Sequence, residues 1–141
     1  MAGEETMIAL GIGCRSRAPA EDIEAVIGQA LAVGALRIDD VSVIATEETK
    51  SEQAGVIEAA HRLGLLLIGI SVSELAKVAD LVVTRSARVQ DIKGVPSVAE
   101  TAALAAAGVG ARLIVPRVAN ATATCALARG EGLPLVLERS P

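Results

Sequence analysis

The chain has no phenylalanine, tyrosine or tryptophan. A nucleobase therefore finds no aromatic face to stack on, which argues against the usual readers of single strands and of RNA. It also lacks an excess of positive charge. Thirteen Lys and Arg stand against seventeen Asp and Glu, a net charge of −4, which argues against a phosphate-backbone binder. Basic residues gather only locally, at Arg15 and Arg17 and again at Arg85, Arg88 and Lys93. Two cysteines, Cys14 and Cys125, and a single His61 make neither a disulfide framework nor a zinc-ligand set. Residues 1–6 carry Glu4 and Glu5 but no basic segment of a secretory signal. Every apolar run breaks short of the roughly 20 residues that span a bilayer. The expectation is a cytoplasmic protein with no metal, no cofactor, no membrane partner and no nucleic acid.

What remains is a chain that is 52% hydrophobic, all of it aliphatic or sulfur-bearing. Its core must rely on close approach of elements rather than on large side chains. A length of 141 residues suggests one domain, with residues 1–6 and 139–141 as loose ends. Met7–Gly13 is an unbroken apolar run ending in glycines, read as a buried strand with a tight exit. Pro19 and the acids Glu21, Asp22 and Glu24 then open a helix with Ile23, Val26, Ile27, Ala30 and Leu31 on its inner face, closed by Gly34. Val41–Ala45 reads as a second strand. Thr49 and Glu52 have capping-box spacing, so a helix is expected from Lys50, with Val56, Ile57, Ala60 and Leu63 inward and Gly64 at its end. His61 falls beside that stripe, at the surface or boundary.

Leu65–Ile70 is a third strand, and Ser73 could cap a short helix over Glu74–Val78. Leu81–Thr84 reads as extended, and residues 79–93 as a whole are the least legible. Ser97 and Glu100 form a second capping box, behind Pro96 and before an alanine-rich helix that Gly108 stops. Arg112–Pro116 is a fourth strand, Arg117–Asn120 a turn, and Ala121–Ala128 a strand with one wetter face, antiparallel to its neighbour. Leu135–Leu137 could add an edge. The order predicts an α/β fold, a three-layer α/β/α sandwich with a mixed, mostly parallel sheet. Ligands in such sheets bind beyond the carboxyl ends of the strands. That crevice would collect the Cys14–Arg17 loop, the Thr46–Glu52 loop, Ser71 and the helix start at Ser97.

Three chemistries compete for these residues. Gly11-x-Gly13-x-x-Ser16 is a partial dinucleotide motif, but Pro19 starts its helix too late for the usual loop. Cys14, beside Arg15 and near a helix start, sits where a thiol can be activated, yet no histidine lies near it in sequence. Glu47, Glu48, Glu52 and Glu100 could divide acid and base roles, although capping and surface charge account for them more simply. Lys50 at the strand-end crevice is a candidate for fixing a carboxylate.

Taken together, four motifs in order resemble the CobE / CbiG C-terminal domain family of cobalamin biosynthesis. They are Gly11-Ile-Gly-Cys-Arg15; Ala45-Thr46 with Lys50 and Glu52; Gly94-Val-Pro-Ser-Val-Ala-Glu100 with Ala102-Ala-Leu104; and Val115-Pro-Arg117 followed by Thr124-Cys-Ala-Leu-Ala-Arg129. They span about Met7 to Arg129. Arg117 stands where many CbiG-type sequences carry Lys, which keeps the charge and alters its geometry. The resemblance implies a protein that binds a precorrin-type tetrapyrrole and assists or performs a step around corrin ring contraction. The free-standing domain looks like the CobE form. The longer CbiG proteins open a ring lactone and carry further N-terminal sequence, so a precorrin-modifying, lactone-opening activity is implied only through them. A carrier that passes unstable intermediates between pathway enzymes is the alternative, with a nucleotide-dependent α/β enzyme as a third reading. A homodimer is left open.

The candidate ligand-binding residues are Gly13, Cys14, Arg15, Thr46, Lys50, Glu52, Ser97, Glu100 and Arg117, with Lys50, Glu52 and Glu100 the candidates for chemistry. Arg15, Lys50, the Ser97 helix start and Arg117 would meet the carboxylates of a corrin precursor. Gly13, Ala45 and Ala99 would leave room for a flat ring. Because neither cysteine belongs to a disulfide pattern, a thiol assay on denatured, unreduced protein should find both Cys14 and Cys125 free; a chain without reactive thiol would contradict this.

Overall fold

A computed structural model describes residues 6–89 and 96–132. Its five strands are β1 (Met7–Cys14), β2 (Val43–Glu47), β3 (Leu66–Ile70), β4 (Arg112–Ala119) and β5 (Ala123–Gly130). Its α-helices are α1 (Ala20–Gly34), α2 (Ala54–Leu63), α3 (Val72–Val89) and α4 (Val98–Ala107). The strands form one sheet in the order β3-β2-β1-β5-β4. β1, β2 and β3 pair in parallel, while β5 pairs antiparallel with both β1 and β4. Every strand except β5 therefore points the same way, and the mixed, mostly parallel α/β sandwich holds. No helix among the described residues is long and apolar enough to cross a membrane.

The two faces of the sheet are built from different side chains. Ile8, Leu10 and Ile12 of β1, with Ile44, Cys125 and Leu127, pack against Ile23, Val26, Ile27 and Ala30 of α1 and Val56, Ala59 and Ala60 of α2. On the opposite face Ala9, Val43, Ala45 and Ala128 meet Ala102, Ala103, Ala106 and Ala107 of α4, with Leu75 of α3. The apolar run of β1 thus hides a period of two, large residues to one side and small to the other. The small side lets α4 lie directly on the strands. A methyl group on Gly11 would sit 2.0 Å from the Ala99 carbonyl oxygen, and one on Gly130 would sit 2.4 Å from that of Ala107.

Several boundaries differ from the sequence reading. The residues around 38–40 form a 3₁₀ turn, held by the Arg37 N–H donating to Asp40, so β2 begins two residues later than expected. Thr49 does not cap Glu52. Its N–H and hydroxyl both donate to Glu47, a 3₁₀ turn occupies Lys50–Glu52, and α2 starts only after Gln53. A local side chain–backbone bond has outcompeted the helix start. On α2, Ala59 takes the inward place expected for Ile57, which is exposed. At the end of α1 the left-handed residue is Ala35, at φ 55°; Gly34 instead makes room for Val115, whose Cγ2 would lie 2.8 Å from a methyl there.

Residues 72–89 make one long helix where a short helix and an extended stretch were expected, and Ser71 rather than Ser73 caps it, accepting from the Glu74 N–H. β4 runs through Arg117 to Ala119, so the turn falls later, at Asn120–Thr122. β5 has no wet face. Inserted between β1 and β4, it is buried on both sides from Cys125 to Ala128. The expected edge strand at Leu135–Leu137, most of the loose ends, and Lys93 to Val95 lie outside the described residues.

The same substitution should act with opposite sign at two glycines. Gly11→Ala drives a methyl into the α4 backbone and should destabilise the fold by about 2–4 kcal/mol. Gly28→Ala, on α1 with nothing within 4 Å of the added carbon, should stabilise it by about 0.5–1 kcal/mol. Urea denaturation of both variants reads the difference; equal effects would contradict the close approach of α4.

Candidate functional site

The carboxyl ends of β1, β2 and β3 open on one edge of the sheet, and two groups of candidate residues stand there. The first lies around the exit of β1. The Arg15 N–H donates to the Thr122 carbonyl at 2.9 Å. Arg17, at φ 65°, donates its N–H to Gln53 Oε1 at 2.9 Å. These bonds fix the loop between β5 and the start of α2. Lys50 then reaches back across it, its Nζ 3.4 Å from Ser16 Oγ. Arg15 is exposed and Lys50 half-buried.

Cys14 precedes Arg15 in the chain and lies within reach of the Lys50 charge. Burial pushes its thiol above the ordinary cysteine range, and the nearby positive charge of Lys50 only partly opposes that shift. The environment read from sequence as activating is therefore mainly a desolvating one. Cys125 is fully buried, and burial raises its thiol much further. Neither takes part in a disulfide. Glu47 is held below the usual carboxylate range by the Thr49 hydroxyl and N–H that donate to it, with the Lys50 charge adding in the same direction.

The second group surrounds the N-terminus of α4. The capping box is present as expected: the Glu100 N–H donates to Ser97 Oγ at 3.1 Å, and the Ser97 N–H donates to Glu100 Oε1 at 2.9 Å. The other Glu100 oxygen accepts from the Arg117 N–H at 3.1 Å. Glu100 is 8% exposed, and each carboxylate oxygen has a backbone donor. It ties α4 to β4 rather than standing ready as an acid or base. Gly13 joins the two groups, since a methyl there would lie 3.7 Å from the Ala99 nitrogen at the start of α4.

The remaining candidates divide. Thr46 is fully buried and its hydroxyl donates to the Ile12 carbonyl at 2.7 Å. That carbonyl lies just past the last β1–β2 pair, Gly11 with Ala45, so Thr46 satisfies a buried strand end. Glu52 is exposed in the 3₁₀ turn. Ala45 on β2 and Ala99 on α4 are fully buried; their small size lets α4 lie close on the sheet, and neither offers a surface to a ring. His61 is exposed on α2. No group of three or more potential metal ligands occurs among the described residues.

Sequence reasoning missed the polar tie that supports the first group. Asp22 on α1 accepts from the Thr122 hydroxyl at 2.8 Å, and its carbonyl accepts from Asn120 Nδ2 at 2.8 Å. Asn120 Oδ1 in turn accepts from the N–H groups of Thr122 and Ala123. Thr124 donates to the Gly13 carbonyl at 3.3 Å. The alternating threonines were the visible signal, but their partner lies about a hundred residues away.

With this geometry in view, comparison with known proteins is decisive. The family described as the cobalamin synthesis G C-terminus matches residues 8–128. The chain belongs to the CobE/CbiG C-terminal family. It is therefore a cobalamin biosynthesis protein of that family. It is 33% identical over 121 residues to Protein CobE from a Sinorhizobium species, covering 86% of this chain and 79% of that one. The crystal structure of cobalamin biosynthesis protein chiG from Agrobacterium tumefaciens superposes with a TM-score of 0.74 at 38% identity, over 86% of this chain and 97% of the other. That of CobE, from the cobalamin biosynthetic pathway, superposes with a TM-score of 0.72 at 25% identity, over 88% and 90%.

The Cys14–Lys50 pairing can be read chemically. Lys50→Ala removes the charge that favours the thiolate, so the Cys14 thiol should rise further and its alkylation rate at fixed mildly alkaline pH should fall. A drop of roughly twofold to fivefold is expected, equivalent to about 0.4–1 kcal/mol between partly screened charges. Mass-spectrometric labelling kinetics on the folded protein measure it; an unchanged or faster rate would separate the two side chains.

Proposed function

We propose that this CobE/CbiG-family chain binds a precorrin-type tetrapyrrole across the carboxyl edge of its sheet and assists a step around corrin ring contraction. The observation that carries the reading is the spread of cations along that edge. Arg15 and Lys50 stand at the exits of β1 and β2, and Arg117 on β4. In the order β3-β2-β1-β5-β4, β2 and β4 are three strand spacings apart, about 14 Å. Corrin precursors are broad macrocycles with acetate and propionate carboxylates around the rim. Separated cations fit several such carboxylates better than they fit one compact anion. The start of α4 adds its positive dipole end between them, although Glu100 already draws on part of it.

The chemistry of the same residues favours binding and transfer over turnover. The Cys14 thiol is shifted away from its reactive form. The Glu100 carboxylate accepts backbone N–H groups on both oxygens. The reading that the protein hands unstable intermediates to pathway enzymes thus gains a specific observation.

Absence of aromatic residues makes the test simple, because the ligand alone absorbs in the near ultraviolet and visible. Titration with a corrin precursor carrying free side-chain carboxylates should shift its spectrum, while NAD and ATP should not compete. Binding should weaken as salt rises, on Lys50→Ala, and when the carboxylates are amidated. Product masses after incubation with less than one equivalent of protein should equal those without protein if the chain is a carrier. Equal affinity for the fully amidated corrin, or binding of NAD and not of the corrin, would overturn the proposal.

A further inference from the structure

The sheet has two outer strands, and they are protected very differently. β4 carries Pro116, which has no N–H to offer, two register irregularities against β5, and the exposed cations Arg112 and Arg117. These are the devices that stop a strand edge from pairing with another chain. β3 has none of them. Its sequence is Leu-Leu-Ile-Gly-Ile, without charge or proline, and its pairing with β2 runs unbroken from Val43 with Leu66 to Glu47 with Ile70.

The direction of its free groups follows from one bond. The Ile70 carbonyl accepts from the Glu48 N–H, on the β2 side. In a strand, alternate residues aim their backbone groups to opposite sides, so Leu67 and Gly69 aim theirs outward. Among the described residues no strand lies beyond them. Beside them Leu66 is 68% exposed, a large apolar side chain at an unguarded edge.

We propose that β3 is a dimerisation edge, pairing antiparallel with β3 of a second copy about a two-fold axis at Ile68. A second copy is the occupant because the strand is complementary to itself in this register. Leu67 meets Gly69 of the copy, both with outward groups, so the two pairs exchange about four hydrogen bonds. The leucine faces a glycine, which adds no side chain of its own, and lies beside Ser51 and Glu48, which cover that glycine. On the other face, Leu66 meets Ile70 and Ile68 meets Ile68. Ile68 and Ile70 already pack against the α3–α4 core, so the join continues that apolar row and covers Leu66. This register overlaps the whole of both strands, and an isologous contact closes instead of propagating. The inference does not depend on the ligand reading, since the β3 edge bears none of the binding candidates.

Sedimentation velocity on the full chain, from micromolar to near-millimolar, tests it. A concentration-dependent dimer is expected. Leu66→Lys, at an already exposed position, should raise the dimer dissociation constant about tenfold or more by placing a charge in the apolar row, with the melting temperature of the monomer kept. Ile68→Cys in a Cys14→Ser background should oxidise to a covalent dimer, because residues facing each other across the axis are about 4.5 Å apart at Cα. A monomer at every concentration overturns the proposal, as does a dimer that tolerates Leu66→Lys and leaves Ile68→Cys uncrosslinked. A strand from another protein covering β3 would give the first of these results.

Discussion

The contact between α4 and the middle of the sheet is the constraint on which this structure depends. With no aromatic residue in the chain, the core cannot be filled by a few large side chains. On the α4 side it is filled by bringing backbone to backbone, alanine against glycine and alanine. Dispersion falls off steeply with distance, so such small groups contribute only when elements touch. The cost is intolerance: Gly11 and Gly130 have no room for a methyl. Ile8, Leu10 and Ile12 on the opposite face then have to supply the bulk for α1 and α2.

The same contact sets the position of the candidate site. Because α4 rests on Gly11, its first turn comes to lie over Gly13 at the exit of β1. Glu100 fastens that turn to β4 through the Arg117 N–H, and Thr46 closes the end of β1 through the Ile12 carbonyl. Most buried polar groups of the edge are thereby used by the fold itself, as buried polar groups must be. The cations Arg15, Lys50 and Arg117 are not consumed in this way, and the proposed binding rests on them.

The hairpin of β4 and β5 completes the arrangement from the far side. By inserting between β1 and β4, β5 brings Thr122 and Thr124 to the loop after β1, where they hold Gly13, Arg15 and Asp22. It also leaves the sheet with unequal edges. β4 is broken by proline and bulges, whereas β3 is straight and apolar.

The sequence by itself determined those features that neighbouring residues encode. The apolar run of β1, the inner stripe of α1, the Ser97–Glu100 capping box and the glycine stops at Gly64 and Gly108 all depend on spacings of a few residues, and all are present. The family was legible for the same reason, as short motifs in order. The tertiary structure alone decided which strand stands beside which. Nothing near Ala123–Gly130 says that it pairs with β1 at the other end of the chain, so its threonines looked wet when they are bound to Gly13 and Asp22. It likewise decided that Ala45 and Ala99 are buried where α4 meets the sheet, that Thr46 serves a carbonyl, and that burial outweighs Lys50 at Cys14. Periodicity and capping are local and can be read along the chain. Burial and partnership arise only when residues distant in sequence meet, and a single sequence holds no record of those distances.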